Sequence, residues 1–417
     1  MILVPLLKRL SRNLRRCFAF VLVFLGSLVT LQILSRHTQI PEILPEAQKI
    51  VKSLLLIPLP RLSRHPREGK MTKAIASGVK EGNLSSWVQH LCPHYHADEM
   101  KVKGHTRLTF EMPTEETIFF TQTSCRTSPS PREACAVESA ARHHPRRPIL
   151  LLLTSPFLDH AHPLTEVLTS LPRVKMAWLD LDAIFSRSPL SAWHSDRLWM
   201  LNKERASAFI SDAVRSEVLR VHGGTYVDLD ALTLRPLPSH TPPRPWVTRV
   251  EPGLFNIGVS AFPKRHPFME RVVAEIPSAF DDFKALSIGP ELVSKHLLQL
   301  CANQKDETAR RSKRAAKFDK TEEEEEKPED CQGVTIYPPS LFYPLHFKYD
   351  DLPRLVREEE GYGAAFLNAS HAYSLHLFNS LSRRALVHPN GHSILAEAFR
   401  RNCPRIHAVA SARNTYI

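Results

Sequence analysis

From about Thr106 to its C-terminus the chain predicts an α/β fold, on three observations. Apolar strand-like runs alternate with helical patterns, as in units built around a largely parallel sheet. Ile149-Leu150-Leu151-Leu152-Leu153 is apolar without a break, which suits a strand covered on both faces. Gly223-Gly224-Thr225-Tyr226-Val227-Asp228-Leu229-Asp230 leads from a glycine turn through an apolar strand to two carboxylates. Ligands of open α/β sheets bind beyond the carboxyl ends of the strands.

The elements follow in order. Ile118-Phe119-Phe120-Thr121 reads as the first strand, residues 135–142 as a helix and residues 149–153 as a buried strand. Residues 163–170 read as helical and 175–179 as a short strand, with Leu181 leading into Ile184-Phe185. Val214, Val218, Leu219 and Val221 recur at helical spacing, so a helix runs into the Gly223-Gly224 turn, with Ser211 placed to cap it. Residues 226–228 form the strand that carries the carboxylates.

The N-terminal part divides differently. Residues 1–16 hold Lys8, Arg9, Arg12, Arg15 and Arg16. Residues 17–34 form an uncharged apolar run of about eighteen residues, close to the length that spans a bilayer. The basic flank predicts a cytosolic N-terminus and a single-pass type II signal-anchor. A cleaved signal peptide is the alternative, although no Ala-x-Ala-like site follows the run. Residues 35–105, rich in proline and basic residues, read as a stem, and 106–417 as the folded domain. The formal net charge of +12 brings no nucleic-acid motif with it, so no nucleic-acid partner is expected. Residues 303–330, with a polyglutamate run at 322–326, read as a solvated, disordered insertion.

Six of the seven cysteines lie beyond the anchor, an even number that suits disulfides in an oxidising compartment. The expected pairs are Cys301 with Cys331, across the charged insertion, and Cys125 with Cys135. Asn83 and Asn368 head glycosylation sequons.

Candidate chemistry centres on the carboxylates. Residues two apart on a strand point the same way, so Asp228 and Asp230 are expected to face one divalent cation, Mn²⁺ or Mg²⁺, that bridges to a diphosphate. Asp212 and Arg215 lie one helical turn apart and are expected to project into the same cleft. Tyr226 reads as packing.

Ser-Asp-x-x-Arg followed by Gly-Gly-x-Tyr-x-Asp-x-Asp resembles the donor site of DXD-type retaining glycosyltransferases of family 32, within their α1,4-galactosyl- and α1,4-N-acetylglucosaminyltransferase group. Further similar stretches are Phe119-Phe120-Thr121-Gln122-Thr123-Ser124, Asn256-Ile257-Gly258, Gly289-Pro290-Glu291-Leu292, Phe342-Tyr343-Pro344 and His376-Leu377-Phe378-Asn379. The resemblance implies a GT-A fold, a Rossmann-like nucleotide half joined to an acceptor half, in a Golgi enzyme with a lumenal catalytic domain. It implies a UDP-sugar donor, UDP-galactose or a UDP-N-acetylhexosamine, and a galactose-terminated glycolipid acceptor joined in α1,4 linkage, with transfer of N-acetylgalactosamine or N-acetylglucosamine to a glycolipid or glycoprotein as the alternative. It places Asp212 on the donor sugar, Arg215 on sugar or diphosphate, and Asp228 on ribose and metal. Asp230 becomes the direct metal ligand and His376 a candidate third. Gln122 stands where relatives carry Glu, among the donor contacts, and Asn256 is placed near the reacting sugar. Phe378 replaces a Trp of the motif, and Leu286-Ser287-Ile288 departs from the Gly-His-Gln that precedes the Gly-Pro turn. A homo-oligomer and a catalytically silent sugar-binding protein of the same fold stay open alternatives.

Overall fold

The computed structural model describes residues 86–92, 105–239, 243–311, 327–348 and 351–417. The apolar run 17–34, nearly all of the stem, Asn83 and the polyglutamate run lie outside the described residues. Among the described residues no helix is long and apolar enough to cross a membrane.

An eight-stranded mixed sheet organises the domain. In chain order the strands are β1 (His105–Arg107), β2 (Ile118–Gln122), β3 (Ile149–Leu153), β4 (Phe157–Asp159), β5 (Val174–Trp178), β6 (Gly224–Val227), β7 (Ala231–Thr233) and β8 (Trp246–Glu251). They continue with β9 (Leu254–Phe262), β10 (Glu329–Cys331), β11 (Val334–Tyr337) and β12 (Ser374–His376). The main sheet runs β10-β11-β8-β9-β6-β2-β3-β5, and β7 pairs separately with β12. Strands β6, β2, β3 and β5 are mutually parallel, whereas β9 is antiparallel to both β6 and β8.

The unbroken apolar runs have the reason expected of them, since helices cover both faces. On β2, Phe119 enters one core while Ile118 and Phe120 enter the other. The helices that matter for the site are α1 (Pro131–His143), α2 (Ala206–His222), α3 (Pro267–Ala279), α4 (Pro290–Arg311), α5 (Ile394–Asn402) and α6 (Pro404–Ala412). The first core packs α2, α3 and the start of α4, and the second packs α1, α5 and α6.

Two boundaries differ from the sequence reading. Helix α1 starts at Pro131, because Ser130 and Glu133 form a capping box that fixes its first turn. Helix α2 starts at Ala206, so Ser211 lies inside it, not at its cap. There its hydroxyl accepts from Arg215 Nη2 at 3.2 Å.

Three disulfides join the described residues: Cys92–Cys125, Cys135–Cys403 and Cys301–Cys331. The last matches expectation, but the Cys125–Cys135 pairing is wrong. Cys135 sits on the buried face of α1, which turns it toward the C-terminal helices. Cys125, beyond β2, meets Cys92. Next to the Cys135–Cys403 bridge, Glu138 accepts from the amides of Arg405 at 3.0 Å and Ile406 at 2.8 Å. Those amides are orphan donors of the first turn of α6, so a buried carboxylate caps that helix from α1.

Candidate active site

Gly223 and Gly224 have φ of +69° and +104°, which lets the chain turn sharply from α2 into β6. Strand β6 ends at Val227. Asp228 and Asp230 therefore lie on the tight turn between β6 and β7, closed by Ala231 N–H donating to Asp228 O at 2.9 Å. The two carboxylates converge because the chain turns, not because strand residues alternate.

Strand β12 supplies the third group. Its register sets His376 opposite Ala231, the residue after Asp230. His376 Nε2 is 3.3 Å from Asp230 Oδ1 and 3.7 Å from Asp228 Oδ2. Donor atoms of Asp228, Asp230 and His376 all lie within 4.8 Å of one another. Past His376, Phe378 adopts a left-handed backbone with φ of 48°, rare for a non-glycine residue. The next amide, Asn379 N–H, then donates to Asp230 Oδ2 at 2.8 Å. Asn379 is held in turn by Arg132 of α1, whose Nη1 donates to Asn379 Oδ1 at 3.0 Å and to Ser382 Oγ at 2.8 Å.

The other face of Asp228 belongs to α2. Arg215 Nη1 lies 3.3 Å from Asp228 Oδ2 and Arg215 Nη2 3.2 Å from Asp228 Oδ1, a forked pair. Arg215 Nη2 also reaches Asp212 Oδ1 at 3.1 Å, so the two α2 residues share the site as expected. The hydroxyl of Tyr226 donates to Asp228 Oδ1 at 2.7 Å, and its ring lies 5.0 Å beneath the guanidinium. Tyr226 packs, as the sequence suggests, and also orients the carboxylate. Only its place inside the Gly-Gly-x-Tyr-x-Asp-x-Asp stretch hinted at that.

Two glycines leave room for these carboxylates. A Cβ on Gly258 would stand 2.3 Å from Asp228 Oδ2, and one on Gly289 would stand 2.5 Å from Asp212 Oδ2. Asp228 N–H donates to Gly258 O at 2.7 Å. Asn256 lies behind this contact, its Oδ1 accepting from Gly258 N–H at 3.0 Å. It is not among the residues lining the cleft next to the carboxylates. Gln122 does line that cleft, with Thr121, Ser124, Ser207, Ser211, Asp228, Asp230 and Asn379. Gln122 Nε2 donates to Glu133 at 3.1 Å, while its buried Oε1 has no hydrogen-bond partner. Sequence reading also gave no role to Tyr343, whose ring packs 5.4 Å from that of His376.

The charges are strongly coupled. Burial pushes the Asp212 carboxyl up to about 6, against the pull of Arg215. Burial also opposes the charge of Asp228, but Arg215 and the His376 and Tyr226 donors hold it below the usual carboxylate range. Burial opposes protonation of His376, yet Asp230 and Asp228 outweigh it and hold its pKa above the ordinary value. His376 Nδ1 accepts from Phe378 N–H at 3.1 Å, which leaves the ring proton on Nε2, facing the carboxylates. Two carboxylates and an imidazole, clustered at the rim of a polar cleft, are a donor set that suits Mn²⁺ and, through its oxygens, Mg²⁺.

Residues 130–248 match the model of the glycosyltransferase sugar-binding region containing DXD motif, and residues 261–410 match that of the alpha 1,4-glycosyltransferase conserved region. By both matches the chain is a glycosyltransferase. The first match contains Asp212, Arg215, Asp228 and Asp230, and the second contains Gly289, Tyr343, His376 and Asn379, so the site is built where the two regions meet. The human lactosylceramide 4-alpha-galactosyltransferase is 28% identical over 311 residues, covering 71% of this chain and 77% of that protein. The human alpha-1,4-N-acetylglucosaminyltransferase is 25% identical over 317 residues, covering 73% and 83%. A solved structure described as PaToxG glycosyltransferase is 18% identical and covers 48% of this transferase and 75% of its own chain, with a TM-score of 0.37.

Proposed function

We propose that this protein is a retaining α1,4-hexosyltransferase of the GT-A type. It moves galactose from UDP-galactose to a terminal galactose, with a glycolipid such as lactosylceramide as acceptor. The observation that carries this reading is the convergence of Asp228, Asp230 and His376 beside the Asp212–Arg215 pair, in a chain that matches both the DXD-containing sugar-binding region and the α1,4-glycosyltransferase region. A UDP-N-acetylhexosamine is the alternative donor, favoured by the relative that carries that activity in its name. The apolar run at 17–34 supports a type II anchor in the Golgi membrane with a lumenal site.

Asp228 and Asp230 would hold a divalent cation, Mn²⁺ or Mg²⁺, and His376 would join them through Nε2 in the tautomer that carries its proton on Nδ1, which gives up the bond from Phe378 N–H. The bound ion supplies charge stabilisation to a diphosphate leaving group. Protons compete with it for the same three groups. The protein's own residues do the rest. Arg215, locked by Asp212 and Asp228, keeps a fixed positive charge at the cleft. Asp212 accepts from hydroxyls of the donor sugar, and Gln122, whose buried Oε1 has no protein partner, borders the cleft. Glu133, Asp228 and Asp230, the carboxylates lining the cleft, are all engaged with protein donors. That arrangement favours front-face attack, with a donor phosphate oxygen taking the acceptor proton, over a covalent intermediate on a protein carboxylate.

Gly258→Ala tests the geometry. Displacing Asp228 by about 1 Å should lower the transfer rate about 100-fold with the fold intact, measured by initial rates and thermal unfolding. The raised pKa of Asp212 sets a pH limb. The folded carboxyl keeps its proton to about 6, above the value of an unfolded Asp, so its stabilising share is lost as pH rises from about 4 to about 6. Activity has the opposite sign, because only the ionised form accepts from the sugar and completes the ion pair. Transfer at saturating metal, where protons no longer compete for the metal ligands, should rise through pH of about 6, and Asp212→Asn should be weak and lack that limb.

The reading is tested with lactosylceramide as acceptor and UDP-galactose, UDP-N-acetylgalactosamine or UDP-N-acetylglucosamine as donor, with and without Mn²⁺. Metal-dependent transfer from one donor supports it. UDP binding without turnover on any donor supports a silent sugar-binding protein.

A further inference from the structure

Two partly exposed phenylalanines stand beside the carboxylate–histidine cluster and take no part in the proposed donor chemistry. Phe378 lies between His376 and Asn379, its ring 4.4 Å from that of His376 and 5.9 Å from that of Tyr343. Phe347, on the segment that follows β11, sets its ring 5.7 Å from that of Phe378. Charged groups border the pair: next to Phe347, Lys348 Nζ lies 2.7 Å from Glu251 Oε2.

The backbone singles out the ring of Phe378. Glycine or asparagine reaches a φ of 48° at low cost, and either would leave the Asn379 amide on Asp230. Phenylalanine there is a strained choice, so what it contributes is its ring. Part of that ring packs on His376 and Tyr343, and the rest stays open to solvent with Phe347.

Location gives the occupant. The polar cleft next to the carboxylates is built from β2, α1 and α2. The rings come instead from the segments after β11 and β12, and the two surfaces meet at Asp228, Asp230 and His376. A sugar that receives the transferred hexose has to sit within bonding reach of the donor's anomeric carbon, next to that cluster. Galactose suits a flat apolar wall. Its C3–H, C4–H and C5–H bonds gather on one face, and its axial 4-hydroxyl stands on the other. Polarised C–H bonds pack well on the negative face of an aromatic ring. Stacked in this way, the sugar keeps O4 free for the donor.

We propose that Phe347 and Phe378 form the platform on which the terminal galactose of the acceptor stacks, and that they select a sugar with an axial 4-hydroxyl. The inference rests on the transferase reading and names the residues that choose its acceptor.

The test uses saturation-transfer NMR on the full chain in phosphatidylcholine nanodiscs, loaded with Mn²⁺ and UDP. Lactose should take up most saturation at the C3, C4 and C5 protons of its galactose, and the terminal glucose of cellobiose should show no such preference. Phe347→Leu/Phe378→Leu should remove the pattern. Each single leucine variant should raise the KM for lactose about tenfold, with the KM for UDP-galactose and the Mn²⁺ midpoint within about twofold of wild type. Phe378→Tyr keeps the ring face and should stay near wild type. A joint rise of acceptor KM, donor KM and Mn²⁺ midpoint would mean that the rings only support His376, and the proposal falls. Transfer with saturation spread evenly over the galactose, or equal saturation of cellobiose, also overturns it and leaves the transferase reading standing. The galactose pattern without turnover from any donor keeps the platform and removes the transferase reading.

Discussion

Asp230→Ala should lower metal-dependent transfer by at least about 10³-fold while the protein stays folded, as judged by circular dichroism and thermal unfolding. The side chain does two jobs that alanine cannot. One oxygen faces His376 Nε2 at 3.3 Å, in the cluster proposed to hold the cation. The other accepts the Asn379 amide at 2.8 Å and so positions the left-handed turn after His376. Asp230 is partly open to solvent, and its backbone carbonyl keeps the bond from Leu377 N–H at 2.7 Å in the variant. Asp230→Asn retains a side-chain acceptor for the amide but removes the charge. It should therefore lose activity nearly as severely, which separates cation binding from positioning. Full activity in the alanine variant would remove the metal-site model.

The second large effect concerns stability. Cys135→Ser/Cys403→Ser should destabilise the domain by about 4 kcal/mol, since the bridge closes a loop of 268 residues in the unfolded chain. The expected reading is a lower midpoint for thermal loss of activity and a lower yield of folded protein. Activity at low temperature should fall as well. Helix α1 is tied to the C-terminal segment by the bridge, by Glu138 capping α6 and by Arg132 holding Asn379. Loosening the first frees the segment that brings His376 to the carboxylates. An unchanged midpoint would show that the remaining two ties and the packed second core suffice.

Local chemistry explains what the sequence made legible. Apolar runs such as 149–153 announce a sheet covered on both faces, and the helical spacing of Val214, Val218 and Leu219 announces α2. Short-range signals also placed Asp212 and Arg215 together, because residues one turn apart on a helix share a face whatever the tertiary fold. The rest depends on contacts between distant parts of the chain. Nothing local indicates that β12 pairs with β7, and it is this pairing that sets His376 next to Asp230. Gly258 and Gly289 look like ordinary turn residues until the carboxylates they accommodate are seen. The Cys135–Cys403 bridge follows from which face of α1 is buried, whereas sequence proximity had favoured Cys125. At the turn between β6 and β7, Asp228 and Asp230 do converge, but through the turn of the chain and not through the strand alternation that the sequence suggested.

The most direct test of the account is transfer from UDP-galactose to lactosylceramide by the full-length protein, with Mn²⁺ titrated and the product's linkage and anomeric configuration read by NMR. The account predicts a metal-dependent product with a terminal galactose in α1,4 linkage, absent with chelator. A product of inverted configuration, or equal turnover with and without metal, would contradict it.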